Sequence, residues 1–172
     1  ICLASNDISH EKLIEIDIDN LSKSSFPAIV KSKIRNLSSQ AESYWFKGYG
    51  NKMTHAWIYK PNSIDNNKHP LIVKAHSGPT SVFDGSFNLE VQYWTSRGWF
   101  VAEVNYGGST GFGRDYRERL NNLWGVLDSA DCIALAKSLV EEQFIDPSRI
   151  VISGNSAGGF TALNALYQTD IF

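Results

Sequence analysis

Over the first 38 residues the apolar and polar positions form short, weak patterns. Leu13-Ile14-Glu15-Ile16-Asp17-Ile18-Asp19 alternates apolar with acidic residues, the period of two that predicts a half-buried strand. Asn20 to Ser25 is polar turn material, and Ile29-Val30 opens another short extended segment. So small a strand pair does not hold a fold by itself, so it must pack against something else. From about residue 40 the patterns strengthen. Ser43 to Lys47 and Thr54 to Lys60 predict two antiparallel strands around the turn Gly48-Tyr49-Gly50-Asn51. Pro70 to His76, Trp99 to Val104 and Arg149 to Ser153 are nearly continuous apolar runs, as in strands buried on both faces. Between them, Phe87 to Ser96 can form a helix closed by Gly98. Leu123 to Glu142 places Val126, Leu127, Ala130, Ile133, Ala134 and others on one helical stripe. Asp146-Pro147 predicts a turn or a short helix start, and a last helix runs to about Gln168. Strands alternating with helices predict an α/β fold with a largely parallel sheet.

Composition narrows the function classes. The chain has 172 residues, 42% hydrophobic and 20% charged, which is globular and too apolar for disorder. Sixteen basic against eighteen acidic side chains give a net charge of −2, without the basic excess of a nucleic-acid binder. No window approaches the roughly 20 apolar residues of a membrane span. Ile1-Cys2-Leu3-Ala4 is too short an apolar run for a signal peptide, and both ends of the sequence look cut. Two cysteines, Cys2 and Cys132, are too few for a disulfide framework and are expected as buried free thiols. With the missing signal, that favours a cytoplasmic location. The four histidines and two cysteines have no ligand spacing, so neither metal nor cofactor is expected.

The informative segment is strand, Gly154-x-Ser156-x-Gly158, helix. It fits the nucleophile elbow, in which serine sits on a strained turn that lifts its hydroxyl above the sheet. Side chains at the two glycine positions would collide with the neighbouring strand and helix as the turn tightens. The helix that follows offers free N–H groups, so Ala157 N–H can donate to an oxyanion. A dinucleotide turn would need glycine where Ser156 stands, and a P-loop would need a Gly-Lys-Ser/Thr run; both nucleotide readings fail. A second donor is expected from the loop His76-Ser77-Gly78-Pro79, at the end of an earlier strand. Asn105 to Gly113 reads as a glycine-rich loop, with a wall of the cleft as its functional alternative. Asp128 and Asp131, at i and i+3, are expected to cap, or to face solvent or Arg114 and Arg119, and not to act as a catalytic pair.

Five linked motifs carry a resemblance. They are His76-Ser77-Gly78-Pro79, Asn105 to Arg114, Trp124-Gly125, Asp146-Pro147-x-Arg149 and Gly154-Asn155-Ser156-Ala157-Gly158-Gly159. In order and spacing they resemble the prolyl oligopeptidase family of serine peptidases, closest to its acylaminoacyl-peptidase and dipeptidyl-peptidase-like branch. The resemblance implies an α/β-hydrolase catalytic domain over about 39–172, incomplete, with 1–38 as the last strands of a β-propeller and its connector. It implies Ser156 as nucleophile and the N–H groups of Ala157 and Gly78 as oxyanion donors. Ser77 stands where the family's His-Gly-Gly-Pro motif has glycine. In some relatives a tyrosine hydroxyl from this loop stabilises the oxyanion; here His76 stands near that place, which favours a backbone donor. Oligopeptides are the implied substrates.

One departure is an absence. In this fold the triad follows the order Ser, Asp, His. After Ser156 the only acid is Asp170, and His10, His55, His69 and His76 all precede the nucleophile. The chain is therefore expected to carry nucleophile and oxyanion hole without the triad acid and base, and to be inactive and poorly soluble by itself. The strand Arg149 to Ser153 would form its exposed apolar edge. A carboxylesterase or lipase, or a non-catalytic peptide-binding homologue, stays open as an alternative. Ala157 and Phe160 are the only near-site side chains nominated; bond specificity and oligomeric state are not legible.

Overall fold

The computed structural model describes residues 2–6, 9–20, 22–25, 39–62 and 67–172. The described residues form two sheets. Strands β1 (Cys2–Asn6), β2 (Ser9–Ile16) and β3 (Lys23–Ser25) form a small antiparallel sheet in that order. The alternating run thus lies mostly on β2, which ends at Ile16, while Lys23–Ser25 pairs with it as a strand instead of remaining turn. The expected segment at Ile29-Val30 lies outside the described residues. This sheet touches the main body through Asn6, whose carbonyl accepts from Phe87 N at 2.9 Å.

The main sheet has five strands: β4 (Glu42–Lys47), β5 (Met53–Tyr59), β6 (His69–Ala75), β7 (Phe100–Asn105) and β8 (Ile145–Gly154). Their spatial order is β4-β5-β7-β6-β8. The β4–β5 and β5–β7 pairs are antiparallel, whereas β7, β6 and β8 run parallel. The helices are α1 (Leu89–Thr95), the single turn α2 (Arg114–Arg117), α3 (Leu127–Glu141) and α4 (Ala157–Gln168). Asn88 caps α1 by accepting from Glu90 N and Val91 N, the arrangement expected of an N-cap.

Helices cover both faces. Even-numbered residues of β7 join Leu71, Val73, Ile150 and the buried stripe of α3 in the larger core. On the opposite face Tyr59 and Val101 pack against Val91 of α1. Period-two alternation explains why the β7 run is apolar almost throughout: both faces are covered. β8 departs from that expectation. It is the edge strand, α1 does not reach it, and Val151 is 46% exposed. Asp146 and Pro147 lie within β8, where Ile145 pairs with His69 and Ile150 with Leu71. Five steps on β8 therefore match two on β6, and the surplus forms the expected turn, with Asp146 Oδ1 accepting from Ser148 N.

Leu123 to Val126 form turns before α3 instead of its first turn. Cys132 is buried, but Cys2 is exposed, contrary to the expectation of two buried thiols. Among the described residues no helix is long and apolar enough to cross a membrane.

Candidate active site

The site is assembled where β6 and β8 leave the sheet. In the parallel register Ala75 lies opposite Gly154, so the loop His76–Gly78 and the turn Asn155–Ser156 emerge side by side. Two glycines allow this closeness. A Cβ on Gly158 would stand 2.3 Å from Ala75 O, and one on Gly154 would stand 2.3 Å from Gly158 C and O. Those contacts are to backbone, which cannot swing aside, so no side chain fits at either position.

Between them Ser156 has φ 53° and ψ −117°, a left-handed conformation that a non-glycine residue adopts only under constraint. Its side chain is exposed and makes no hydrogen bond among the described residues. Ser156 is the N-cap of α4 without capping it: Gly158 N donates to Asn155 O, and Phe160 N to Ser156 O. The first-turn N–H of Ala157 has no intrahelical acceptor, as helix geometry requires. Gly78 has φ 77°, and its carbonyl accepts from Ser81 N.

The loop from Asn105 to Gly113 is held tightly. Asn105 is buried and grips Phe83 twice, accepting from its N–H at 2.7 Å and donating to its carbonyl at 2.9 Å. Its amide also donates to His55 Nδ1. Thr110 N donates to Ser81 O, so this loop is stitched to the loop that carries Gly78. Tyr116 donates its hydroxyl to Asn105 O, and burial pushes its pKa up to about 12.

The two aspartates of α3 are buried and do not face solvent, although Asp131 feels the charge of Arg119. Asp128 is fully buried; it accepts from Gly125 N at 2.6 Å and from the hydroxyl of Thr161, one turn into α4. Asp131 is also buried; it accepts from Tyr49 N at 2.6 Å and Gly107 N at 2.8 Å. Burial raises its carboxyl pKa, while the two N–H donors pull it back. One carboxylate thus anchors the elbow helix and the other the loop after β7. Among the described residues neither makes an ion pair.

None of the histidines with a described side chain reaches Ser156. His55 is boxed by Trp45, Trp57 and Phe112, and burial drives its pKa down to about 4. His69 stands at the start of β6, the end of the sheet away from the elbow, with Nδ1 on Gly98 O. His76 is buried beneath its own loop. Among the described residues no cluster of three or more His, Cys, Asp or Glu is arranged to hold a metal.

A sequence model of the "Prolyl oligopeptidase family" matches residues 85–172, from the loop before α1 through the elbow helix. The acylamino-acid-releasing enzyme of Arabidopsis thaliana is 34% identical over 123 residues, which is 71% of this chain. The chain belongs to the prolyl oligopeptidase family. Among solved structures, a puromycin-hydrolyzing peptidase of Mycobacterium tuberculosis superposes on 99% of the chain with a TM-score of 0.93 and 35% identity. A crystal structure of puromycin hydrolase does so with the same score and 38% identity. The mixed sheet flanked by helices is that of the family's α/β-hydrolase domain. The chain spans 16% of the Arabidopsis enzyme's length and 27% of each of the two peptidase chains.

Ser156 and Ala157 stand at the junction of β8 and α4, Gly78 stands in the loop after β6, and the β6–β8 register brings the two loops together. Asn105, Asp128 and Asp131 acquired their roles only in three dimensions. A faint signal existed for Asn105, a polar residue that ends an apolar strand.

Proposed function

We propose that this chain is the nucleophile-bearing part of a serine peptidase that cleaves short peptides through an acyl-serine intermediate. Residues 39–172 would be the first part of its α/β-hydrolase domain. Residues 1–38 would close a β-propeller and lead out of it, a reading supported by the separate antiparallel sheet of β1, β2 and β3. The observation that carries the proposal is Ser156, held at φ 53° between β8 and α4 with an unbonded hydroxyl, beside the loop of Gly78.

In this reading Ser156 Oγ attacks the scissile carbonyl carbon and gives its proton to a general base. The carbonyl oxygen becomes an oxyanion, which the N–H groups of Ala157 and Gly78 stabilise. The C–N bond then breaks, the amine leaves with the proton, and water releases the acid from Ser156. The base is none of the histidines whose side chains are described, since each is committed or remote. The family's peptidases, including enzymes named for acylamino-acid release and puromycin hydrolysis, support peptide-like amides as the substrate class.

The test is a fluorophosphonate probe applied to the intact protein, with the adduct located by mass spectrometry. Labelling at Ser156 that disappears in Ser156→Ala is expected, while the 172-residue chain alone stays unlabelled. A well-folded intact protein that takes no label, or takes it elsewhere, overturns the reading.

A further inference from the structure

His76 has no part in the chemistry described above, yet it is among the most elaborately held side chains in the molecule. It is 3% exposed, and each ring nitrogen faces a partner on a different loop. Nδ1 lies 2.9 Å from the carbonyl oxygen of Gly78, two residues along its own turn. Nε2 lies 2.8 Å from Ser109 Oγ, which is 33 residues away and wholly buried. The ring stacks on Tyr106 with centroids 4.3 Å apart, and Tyr106 Oη lies 3.3 Å from Nδ1. Phe83 closes the other side, edge-on at 5.6 Å.

The chemistry fixes the tautomer. A carbonyl oxygen can only accept, so the proton sits on Nδ1 and points at Gly78 O. Burial lowers the pKa of His76, which keeps the ring neutral; Nε2 then accepts a share of the single Ser109 hydroxyl proton, bifurcated between Nε2 and Tyr106 O. Ser109 is itself fixed, with its N–H on Tyr106 O and its hydroxyl 2.8 Å from that same oxygen. Gly107 of this loop is tied to Asp131. A rigid frame on α3 and β7 thus reaches through Ser109 and the imidazole to the Gly78 carbonyl. A glycine at φ 77° has no side chain to hold its orientation. Its N–H belongs to the Ser77–Gly78 peptide, which lies inside the ring that the Nδ1···O=C contact closes from His76 through Ser77 to Gly78, so that contact restrains this peptide and its N–H.

We propose that His76, seated on Ser109, is a positioning residue that aims the Gly78 N–H at the oxyanion. It does not touch the substrate and moves no proton. The inference rests on the reading of Gly78 as an oxyanion donor, and deepens it. A misaimed donor weakens an interaction made chiefly in the transition state, so the effect belongs in kcat and not in KM.

Two amides separate the halves of the clamp. In His76→Asn the side-chain NH2 occupies the place of Nδ1 and can still donate to Gly78 O, but nothing reaches Ser109. In His76→Gln the amide nitrogen occupies the place of Nε2, and the bond to Gly78 O is lost. In the intact enzyme His76→Gln is expected to lose about 10- to 100-fold in kcat with KM little changed. His76→Asn is expected to recover most of that loss. Thermal melting and circular dichroism of both variants establish that they fold. Equal kcat in folded His76→Gln and wild type, or a loss in both variants that appears in KM, overturns the inference. Absence of any fluorophosphonate label at Ser156 in the wild type overturns the functional reading instead, so the two failures are distinct.

Discussion

Replacing Asp131 with alanine tests whether the loop after β7 is held by a buried carboxylate. Asp131 is on the second turn of α3, 1% exposed, and serves the N–H groups of Tyr49 and Gly107 at 2.6 and 2.8 Å. Those donors belong to the β4–β5 turn and to the loop after β7, so no other acceptor is at hand. The turn is built around the carboxylate: a Cβ on Gly48 would come within 2.1 Å of Asp131 Oδ1. A buried N–H deprived of its acceptor costs about 1–3 kcal/mol, so two cost about 2–6. Relief from holding a buried charge offsets part of this, since burial already strains the ionised form. Asp131→Ala is therefore expected to lose about 3–5 kcal/mol, a large share of the 5–15 kcal/mol typical of a domain. Asp131→Asn keeps one acceptor oxygen but turns an NH2 group towards the second N–H. It should fall between, at about 2–3 kcal/mol. Urea unfolding of the intact protein, followed by tryptophan fluorescence, measures both through the shift of midpoint at constant slope. The reasoning is refuted if Asp131→Ala stays within about 1 kcal/mol of the wild type, or if Asp131→Asn is fully stable.

Two further outcomes follow from the geometry. His55 titrates near 4 when folded against an ordinary value near 6.5, because burial disfavours its charged form. The unfolded chain binds the proton first, so stability is complete above pH 6.5 and falls as the pH drops towards 4. The full shift corresponds to about 3 kcal/mol, and water reaching the half-exposed Trp45 rim reduces this to roughly 2; urea titrations at pH 7, 5 and 4 check the slope, which His55→Phe should flatten. Gly158→Ala puts a methyl group 2.3 Å from Ala75 O and must lift α4 off β6. A loss of at least about 1–3 kcal/mol is expected, with loss of labelling at Ser156, and a variant labelled at the wild-type rate contradicts the account of the elbow.

The elements were legible because their signals are local. The apolar run of β7, the helix closed by Gly98 and the Gly-x-Ser-x-Gly turn each declare themselves within a dozen residues. The misreadings have physical causes. Leu123 and Val126 match the α3 stripe, but the chain stays in turns there, with Gly125 at φ 85° and its N–H bound to Asp128. Cys2 lies on the small outer sheet, which leaves it exposed, whereas Cys132 faces the main core. Val151 has the composition of a doubly buried strand, but among the described residues it lies on the edge strand β8 and is 46% exposed.

By itself the sequence determined the α/β class, the strained serine turn and the family to which the chain belongs. Periodicity reports which face of an element is apolar, and a tight turn restricts its own residues to glycine. Only the tertiary structure decided the strand order β4-β5-β7-β6-β8 and the register that sets Ala75 opposite Gly154. It alone gave Asp128, Asp131, Asn105 and His76 their partners, from 2 to 82 residues away. A polar side chain buried in the interior must find a partner there, and which one it meets depends on how distant segments are brought together. No pattern along the chain records that.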